Sequence, residues 1–518
     1  MIKRIFIITL SIILMGSFVF GFSSKAAMAA EKPKYGGILT FNMFPPVATL
    51  GNPLKFRGPD HEYIDNTLET LIRPSNEKMG VFEPLLATSW EFAPDKSYCI
   101  FKLNKGIKFH DGTDFNAEAV KWNLNQWIKS IRPRLNKVKT IDIIDDYTLK
   151  FNLKAWDSVF ISDLGKDTYM VSPTAFEKHG EKWADTNPVG TGPFKFKRYK
   201  RNTVVTFDRF EGYWKKGLPY LGGLKILMIP DPMTFSAAFQ RKDLDAVRVD
   251  YILASELRAA GGYDIIALPT GHTALTFNSE DSNSIWSNKK AREALEYAID
   301  KEKVAKVIGK GYINPIYEIV HSVNKIPPGP GTTFRKYNPE KARQLLKEAG
   351  VPKGTKVKFF YSTSGPGGSS RDYIVIIMKY LADVGITAVP EGLSSAAFTQ
   401  KNAQPPLPNE LIASGQRGSA NELLISVDET LGPGSLFFKG IKKPEGFYKL
   451  LDKALQTDDF DTTVKYLYEM ERLAYADAMF VPVLEQSFIV VQHPHVKDAV
   501  WWWGAMPYPN HERTWLDK

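Results

Sequence analysis

The sequence predicts an α/β fold built from about three structural units. Short stretches that alternate apolar and polar residues, as half-buried strands do, are interspersed with longer stretches that have helical spacing. The chain has 518 residues with 33 prolines and 38 glycines, which favours many turns and short strands over a helical bundle. No repeat of about 20–50 residues occurs in the sequence, and this argues against solenoids and propellers.

The first thirty residues have the pattern of an export signal. A basic start precedes an apolar run from 5 to 22, and the small-x-small pattern at 27–29 fits the pocket of signal peptidase. We therefore expect cleavage after Ala29 or Ala30. The alternative is an uncleaved membrane anchor, because the apolar run approaches the length that spans a bilayer.

The mature chain is expected to be an exported, soluble protein without a lipid anchor. No cysteine lies near the cleavage point, and no second run of about 18 apolar residues follows it. Removing residues 1–30 takes away three basic and no acidic residues, which lowers the formal charge from +10 to +7. The remaining basic residues form no stripe, and this argues against a nucleic-acid binder.

Three strands are predicted from alternating residues. The first opens the mature chain at 37–41, and the other two are Tyr98–Leu103 and Thr148–Leu153. Loops rich in serine, glycine or proline are expected at 362–370 and 404–409.

Four helices are predicted, over 116–128, 289–309, 339–349 and 461–475. Asn116 is suited to cap the first helix, and Asn338 to cap the third, which Gly350 ends. The second is expected to be continuous, with an apolar face of Ala291, Ala294, Leu295, Ala298 and Ile299. The fourth is expected to bury Val464, Leu467, Tyr468 and Leu473.

Motifs for catalysis and metal binding are incomplete in this sequence. His61-Glu62 and His511-Glu512 each lack the second histidine of a zinc-protease helix. His493-Pro494-His495 offers two ligands without a third nearby, so we expect a surface turn there. Ser287 and Lys290 have the spacing of a penicillin-binding nucleophile, but its companion motifs are missing. We therefore expect no enzyme, no metal and no cofactor.

The single cysteine, Cys99, excludes an intramolecular disulfide and a zinc site with several thiolates. Paired carboxylates meet in space rather than in sequence, so a secreted hydrolase remains the alternative from another functional class.

Several long motifs occur in order along the mature chain. They read LLATSW at 85–90, LNKGIKFHDG at 103–112, NPVGTGPF at 187–194, FDRFEGYW at 207–214, KKAREALEYAIDK at 289–301 and YNPEKARQLL at 337–346. These motifs resemble those of the family 5 extracytoplasmic solute-binding proteins, the dipeptide-, oligopeptide- and nickel-binding receptors of ABC importers. The resemblance covers the whole mature chain.

The resemblance implies a large, two-lobed fold of the type II periplasmic-binding-protein kind, with a cleft between the lobes. Lobe I is expected to combine 31–58, 186–271 and 486–518, with 59–185 as an accessory domain, and lobe II to span 272–485. Hinge closure would bury a small organic solute or short peptide in the cleft, and the closed form would dock on the permease subunits of an ABC transporter. We expect a monomer in the periplasm.

Two of these motifs have structural explanations. The glycines of Gly190-Thr191-Gly192-Pro193 are expected to adopt backbone angles that side chains forbid. His110 precedes an Asp-Gly turn and is expected to be a local hydrogen-bond partner rather than a ligand for solute.

Peptide-binding members of the family have a strand reading GW-x-x-D, whose aspartate pairs with the amine of the peptide. The corresponding stretch here is 411–421, in which Gln416 stands near the tryptophan position, and no aspartate follows until Asp428. A buried ammonium group would therefore lack its charged partner. Arg417 instead offers a planar set of donors that suits a carboxylate. Ser414, in the same stretch, is a further candidate.

We therefore expect a non-peptide organic ligand that carries a carboxylate. A peptide receptor that holds the amine differently is the alternative. For Arg417 itself, the alternative is a side chain that faces solvent or pairs with an acidic neighbour. Other candidate ligand residues lie where the chain enters or leaves the expected lobes, and they are Asn42, Met43, His272, Ser394, Trp501 and Trp503. Successive residues of a strand face opposite sides, so at most two of the three tryptophans at 501–503 point into a cleft. Core packing is the alternative for them.

Overall fold

The structure is a computed structural model that describes residues 32–43, 47, 49–56, 60–75, 78, 80–130, 135–166, 168–318, 333–363, 371–417, 423–435, 438–501 and 509–518. The predicted export signal lies outside these residues, as does most of the predicted loop at 362–370. Residues Lys34–Lys518 form one unit. Within the described residues, no helix has both the length and the apolar character needed to span a bilayer.

Strands and helices alternate along the chain, which confirms the α/β class. The strands are β1 (Ile38–Asn42), β2 (Ile72–Pro74), β3 (Phe82–Pro84), β4 (Ala87–Phe92), β5 (Tyr98–Leu103), β6 (Val138–Asp145), β7 (Thr148–Leu153), β8 (Phe194–Lys200), β9 (Val204–Arg209), β10 (Gly223–Leu227), β11 (Ala246–Val249), β12 (Asp264–Thr276), β13 (Thr355–Ser362), β14 (Ile386–Leu393), β15 (Glu410–Arg417), β16 (Val481–Gln492), β17 (Val496–Lys497) and β18 (Trp515–Leu516). The helices are α1 (His61–Ile64), α2 (Ala117–Lys129), α3 (Val159–Lys166), α4 (Pro173–His179), α5 (Glu181–Ala184), α6 (Pro232–Gln240), α7 (Tyr251–Ala260), α8 (Lys289–Ala298), α9 (Lys301–Gly309), α10 (Pro339–Glu348), α11 (Arg371–Asp383), α12 (Ser395–Asn402), α13 (Leu423–Leu431), α14 (Phe447–Gln456) and α15 (Phe460–Ala476), with a short 3₁₀ turn at Ile285–Ser287.

Ten of the described strands form one sheet in the order β14-β13-β15-β12-β16-β11-β1-β10-β9-β8. Towards one edge β13 pairs in parallel with β14 and β15, and towards the other β1 pairs in parallel with β10 and β11. The two halves are joined by β12 and β16, antiparallel strands of 13 and 12 residues. Strand β12 pairs with β16 over Asp264–Leu275 but with β15 only from Gly271 onward. The long strands therefore cross from one half of the sheet to the other.

A second sheet has the order β4-β5-β7-β6, with every pair antiparallel. Its buried face is aromatic: the ring of Phe151 meets those of Phe101 and Phe160 edge-on at centroid distances of 5.2 and 5.5 Å. Helices α2 and α3 contribute Leu124 and Leu164 to the same core. This sheet therefore has a hydrophobic core of its own.

Most of the remaining buried apolar residues of the described chain form three further clusters. One packs on β1, β9 and β10 and includes Phe41, Phe207 and Trp501. A second packs α6 to α11 on the middle of the large sheet and includes Phe239, Leu275 and Tyr373. The third is formed by α13 to α15 and includes Val427, Phe447 and Leu467.

The predicted strands are confirmed, Tyr98–Leu103 and Thr148–Leu153 to the residue and the opening strand one residue later, at Ile38–Asn42. The predicted caps are confirmed as well. The Asn116 side chain accepts a hydrogen bond from the Ala119 backbone N–H at 3.0 Å, and that of Asn338 from the Lys341 N–H at 2.9 Å.

The prediction of one helix over 289–309 is wrong, because the chain forms α8 and α9 with a break between them. Ile299 has extended backbone angles, φ −109° and ψ 119°, and is buried. The side chain of Asp300 then accepts a hydrogen bond from the Lys303 N–H at 2.9 Å and so begins α9. The apolar periodicity therefore concealed the N-cap Asp300, which lies inside the run and divides it into two helices.

The predicted buried face of the last helix is also wrong in part. Of the four residues expected to be buried only Leu467 is, whereas Val464, Tyr468 and Leu473 are half-buried. The buried face consists of Thr463, Leu467, Met470, Glu471 and Ala474.

Candidate functional site

Four of the predicted ligand residues lie side by side where β12 begins to pair with β15. In this register His272 is opposite Gln416, Gly271 is opposite Arg417, and Ala274 is opposite Ser414. On its other edge, β12 places His272 opposite Glu485 of β16. We call this place, 271–274 with 414–417 and 484–487, the crossover site. Gln416 and Arg417 are placed here by the pairing of their backbones.

His272 is a buried residue, 3% exposed. Its ring lies parallel to that of Phe480 at a centroid distance of 6.1 Å. Burial lowers the pKa of His272 to about 4, so the imidazole is neutral at physiological pH. A neutral ring offers one donor and one acceptor, rather than a positive charge for an anionic ligand.

Glu485 is the residue of the crossover site that the sequence analysis missed. Burial raises the pKa of its carboxyl group, whose Oε2 accepts a hydrogen bond from Asn314 Nδ2 at 2.7 Å. Asn314 is held there because Glu485 N–H donates to its carbonyl at 2.9 Å and because Pro315 bridges to Leu484. The signal in the sequence was a single acid after the apolar run 479–484; buried acids are rare unless they are paired or functional.

Two small residues of β15 also lie in the crossover site. A Cβ atom added to Gly415 would lie 3.2 Å from Gln486 Nε2, so the glycine allows the glutamine side chain to lie over β15. Ser414, two per cent exposed, donates from Oγ to Asn402 Oδ1 at 2.9 Å. Ser414 therefore joins β15 to the end of α12.

Three other predicted residues lie together in the β1 half of the sheet. The Asn42 side chain donates to the Ile229 carbonyl at 3.3 Å and accepts from its N–H at 2.9 Å, and Met43 is buried in the same cluster. Trp501 is packed edge-on against Phe41 at 5.2 Å, and its indole N–H donates to Gln492 at 2.7 Å. These contacts are those of core residues.

The remaining predictions fall elsewhere. Ser394 is exposed and caps α12, with its Oγ accepting from the Ala397 N–H at 3.5 Å. Trp503 lies outside the described residues. The structure does not bring Ser394 to the crossover site.

Charged residues also lie beside the crossing strands, in the β1 half. Arg248 of β11, which neighbours β16, donates from Nη1 to both carboxylate oxygens of Glu62 at 3.0 Å. Its guanidinium lies 3.6 Å from the ring centroid of Phe488. The ion pair is largely buried, with side-chain exposures of 15% and 7%. Sequence analysis did not single out this pair, because its members are 186 residues apart.

The Gly190-Thr191-Gly192-Pro193 motif and the motif that contains His110 contact each other. His110 Nε2 lies 2.9 Å from the Gly192 carbonyl oxygen, and the Gly190 N–H donates to His110 Nδ1 at 3.3 Å. The hydrogen bonding expected for His110 is thus present, although its partners are 80 residues away. The prediction that the glycines need unusual angles is wrong: a Cβ on Gly190 would lie 2.2 Å from the Thr67 carbonyl oxygen, so close packing excludes a side chain.

The prediction of a turn at His493-Pro494-His495 is confirmed, with Pro494 exposed and the Val496 N–H donating to the His493 carbonyl at 2.9 Å, but the His493 side chain is not on the surface. His493 is 4% exposed, and its Nε2 lies 2.9 Å from the Phe239 carbonyl oxygen. His495 Nε2 lies 2.7 Å from Asp245 Oδ1. The described residues contain no group of three or more histidine, cysteine, aspartate or glutamate side chains placed to hold a metal ion.

Comparison with known proteins agrees with this architecture. The family model described as bacterial extracellular solute-binding proteins, family 5 Middle, matches residues 81–408. The glutathione-binding protein GsiB of Shigella flexneri serotype 5b is 29% identical over 441 residues, which cover 81% of this chain and 83% of that protein.

Among solved structures, DppA of Helicobacter pylori in complex with the peptide STSA superposes with a TM-score of 0.76 at 21% identity, covering 94% of this chain and 99% of DppA. AgaA of A. tumefaciens R10 in complex with agropinic acid gives 0.76 at 22% identity, covering 93% and 99%. These two likenesses show the two-lobed periplasmic-binding-protein fold, as predicted. Because the family model matches more than half of its residues, the chain belongs to the family 5 bacterial extracellular solute-binding proteins.

Proposed function

We propose that this chain is the exported receptor of an ABC importer, which captures a small organic solute between two lobes and delivers it to the permease. The observation that carries the proposal is the pair of long strands, β12 and β16, that crosses between the two halves of one sheet. A connection of a few extended strands can bend while the cores on either side stay packed, which is the geometry of hinge closure.

We assign the lobes with their boundaries inside these two strands. Lobe I comprises 31–58, 186–271 and 486–518, the accessory domain 59–185, and lobe II 272–485. The crossover site then straddles the lobe boundary on both crossing strands, where a solute held between the lobes would meet it. A receptor of this kind returns its ligand chemically unchanged.

The ligand class we favour is a small organic solute that bears a carboxylate. Glutathione, the peptide STSA and agropinic acid, named for the similar proteins, all carry at least one carboxylate. The sequence places Arg417, a carboxylate-binding residue type, at the crossover site. A specific observation also favours the peptide alternative. The buried Glu485 carboxylate, one strand beyond His272, would supply the counter-charge for an amine that β15 lacks.

The function is tested by native mass spectrometry of the freshly purified protein, followed by thermal unfolding with reduced glutathione as a first probe. A receptor is stabilised by about 2.7 kcal/mol when the ligand concentration is 100 times Kd. We expect a retained solute or a stabilising probe, recovered at unchanged mass after incubation. A probe that is cleaved would instead support the secreted hydrolase.

Two substitutions decide between the ligand classes. If a carboxylate is bound at the crossover site, Arg417→Ala weakens the retained ligand by about tenfold or more, whereas Arg472→Ala, an exposed arginine paired with Glu469, leaves the affinity unchanged. If an amine is bound there, Glu485→Gln gives the larger loss. Calorimetric titration measures both, and an unchanged affinity in both variants would remove the crossover site from ligand binding.

Export is part of the proposal. The family consists of extracellular proteins, and we place cleavage of the signal after Ala29 or Ala30, without lipid attachment. Sequencing the amino terminus of the protein secreted by its own host tests this assignment; an uncleaved chain in the membrane fraction would contradict it.

A further inference from the structure

The four-stranded sheet and the helices α13 to α15 meet at a second place, remote in sequence from the crossing strands. On the sheet side the contact is made by Gly80, Lys96 and 156–158. On the helical side it is made by Asp428, Leu455, Asp458 and Phe460. We call this the outer contact. It joins two clusters whose hydrophobic cores are separate.

Three interactions hold the outer contact together. Lys96 Nζ forms an ion pair with Asp458, and its charge also lies 4.9 Å from the ring centroid of Phe92. The backbone N–H of Ser158 donates to the Leu455 carbonyl at 2.8 Å. The ring of Phe460 lies over Gly80, where an added Cβ would be 2.3 Å from it.

The position of Lys96 is fixed by its backbone. It stands in the turn between β4 and β5 with φ 56°, and its N–H donates to the Ala93 carbonyl at 2.9 Å. The turn thus directs the lysine towards Asp458, which lowers the pKa of that carboxyl group. Both partners are partly exposed, at 29% and 59% of the side chain, so solvent and salt screen the pair.

Other features of the outer contact destabilise it. Within the described part of the chain, Trp156 Nε1, Asp157 Oδ1 and Ser158 Oγ are buried atoms that make no hydrogen bond. The charge of Asp157 also acts on a second acid, Asp428, on the opposite side of the contact: burial, and then Asp157 and Glu429, raise the pKa of the Asp428 carboxyl group. The basic residue beside Asp157 is Lys137, 3.7 Å away.

A buried polar group that makes no hydrogen bond destabilises the folded protein by as much as, or more than, a typical hydrogen bond stabilises it. The outer contact therefore combines a few favourable interactions with three desolvated polar atoms and two like-charged carboxylates. Such a contact has a small net free energy. It contrasts with the crossing strands, whose ladder of backbone hydrogen bonds is continuous from 264 to 275 apart from two register shifts.

We propose that the outer contact is a closure latch, in which Lys96 and Asp458 favour the closed receptor and the like-charged pair Asp157 and Asp428 favours the open one. This inference rests on the hinge closure proposed above. The latch lies outside the crossover site, so its residues do not touch the solute. They change the affinity for any solute by changing the fraction of the free protein that is closed.

The test measures the distance across the outer contact in the ligand-free protein. Spin labels are placed on Lys139→Cys of β6 and Glu469→Cys of α15, both exposed. The natural Cys99 is buried, and burial raises the pKa of its thiol to about 12, so it remains unlabelled. Double electron–electron resonance then gives the ratio of closed to open molecules.

We expect Lys96→Ala to lower the closed-to-open ratio by about two- to fivefold, the range of a partly exposed ion pair. Asp157→Asn, which removes the charge but keeps the size of the side chain, is expected to raise the ratio. The matched control is Lys105→Ala, a lysine just after β5 of the same sheet, whose charge lies over the ring of Tyr147. Raising salt from about 0.05 to about 0.5 M is expected to lower the ratio in the parent but not in Lys96→Ala.

The outcomes separate the latch from the hinge. If the parent shows two distances and neither variant changes their ratio, or if both variants shift it in the same direction, the latch is wrong and the hinge stands. If the parent shows one distance, with and without the solute that it retains on purification, hinge closure itself is wrong. Circular dichroism of each variant confirms that the fold is kept.

Discussion

At the scale of single residues, burial explains the roles of three histidines, of which only His272 was predicted to bind the ligand. His110, His272 and His511 are at most 5% exposed, and burial lowers their pKa values to about 4, about 4 and about 3. His110 lies between two backbone groups of the Gly190–Gly192 loop, and His511 Nδ1 lies 3.1 Å from Thr514 Oγ1. The neutral ring of His110, which both accepts and donates, thereby joins two segments of chain that are distant in sequence.

The titration of His110 predicts a pH dependence of stability. Between about pH 6.5 and about pH 4 the unfolded chain binds a proton on His110 and the folded chain does not, so stability falls as the pH falls. His110→Gln, which does not titrate, is expected to be destabilised at pH 7. The difference in unfolding free energy between parent and variant should then shrink by about 3 kcal/mol between pH 7 and pH 4.

Urea unfolding of both proteins at several pH values measures this difference. His179→Gln, at an exposed histidine on α4, is the control for nonspecific effects of the substitution. A parent-to-variant difference that stays constant with pH would contradict the assignment of His110 as a buried, neutral residue.

At the scale of elements, structure could be predicted from the sequence where the signal is local. It could not be predicted where the signal depends on a residue that is distant in the chain. The strands Tyr98–Leu103 and Thr148–Leu153 alternate in sequence and were predicted to the residue. The break between α8 and α9 was missed because the apolar spacing continues through Ile299, although the Asp300 cap was present in the sequence. Arg248 and Glu62 were missed because only the folded sheet brings them together.

The same reasoning applies to the candidate site. His272 and the 414–417 stretch were chosen separately, from a predicted lobe boundary and from a family motif, and the β12–β15 register makes them neighbours. Asn42, Met43 and Trp501 were chosen because they end or begin segments, yet they pack in the core of the β1 half. The end of a strand can be predicted from the sequence. The side of the sheet that a residue faces, and what it packs against there, depend on the partners of that strand.

The break between α8 and α9 gives a prediction at this scale. Removing the cap with Asp300→Ala should lower the unfolding free energy by about 1 kcal/mol, because the N–H of Lys303 loses its acceptor. Asp300→Asn keeps an oxygen at the same position and should recover most of that loss. Guanidinium unfolding measures both variants, and equal losses in the two would show that charge, rather than capping, explains the role of Asp300.

At the scale of the whole molecule, stability is divided among cores that are joined by few elements. The four-stranded sheet has its own aromatic core around Phe151, whereas Phe207 lies in the cluster that packs on β1, β9 and β10. Contacts between the two regions include the His110 hydrogen bonds and the buried Glu69 carboxylate, to which the Thr191 hydroxyl donates at 2.8 Å. Regions with separate cores and limited contacts unfold in more than one step.

Phe151→Ala is therefore expected to remove about 3–5 kcal/mol from the four-stranded sheet alone. Scanning calorimetry should show a separate transition at lower temperature, while the main transition stays near its parent temperature. Phe207→Ala is the matched substitution, since both side chains are at most 1% exposed, and it should instead lower the main transition. A single transition shifted equally in both variants would mean that the sheet and the rest of the protein unfold as one unit, and that the sheet does not form a separate folding domain.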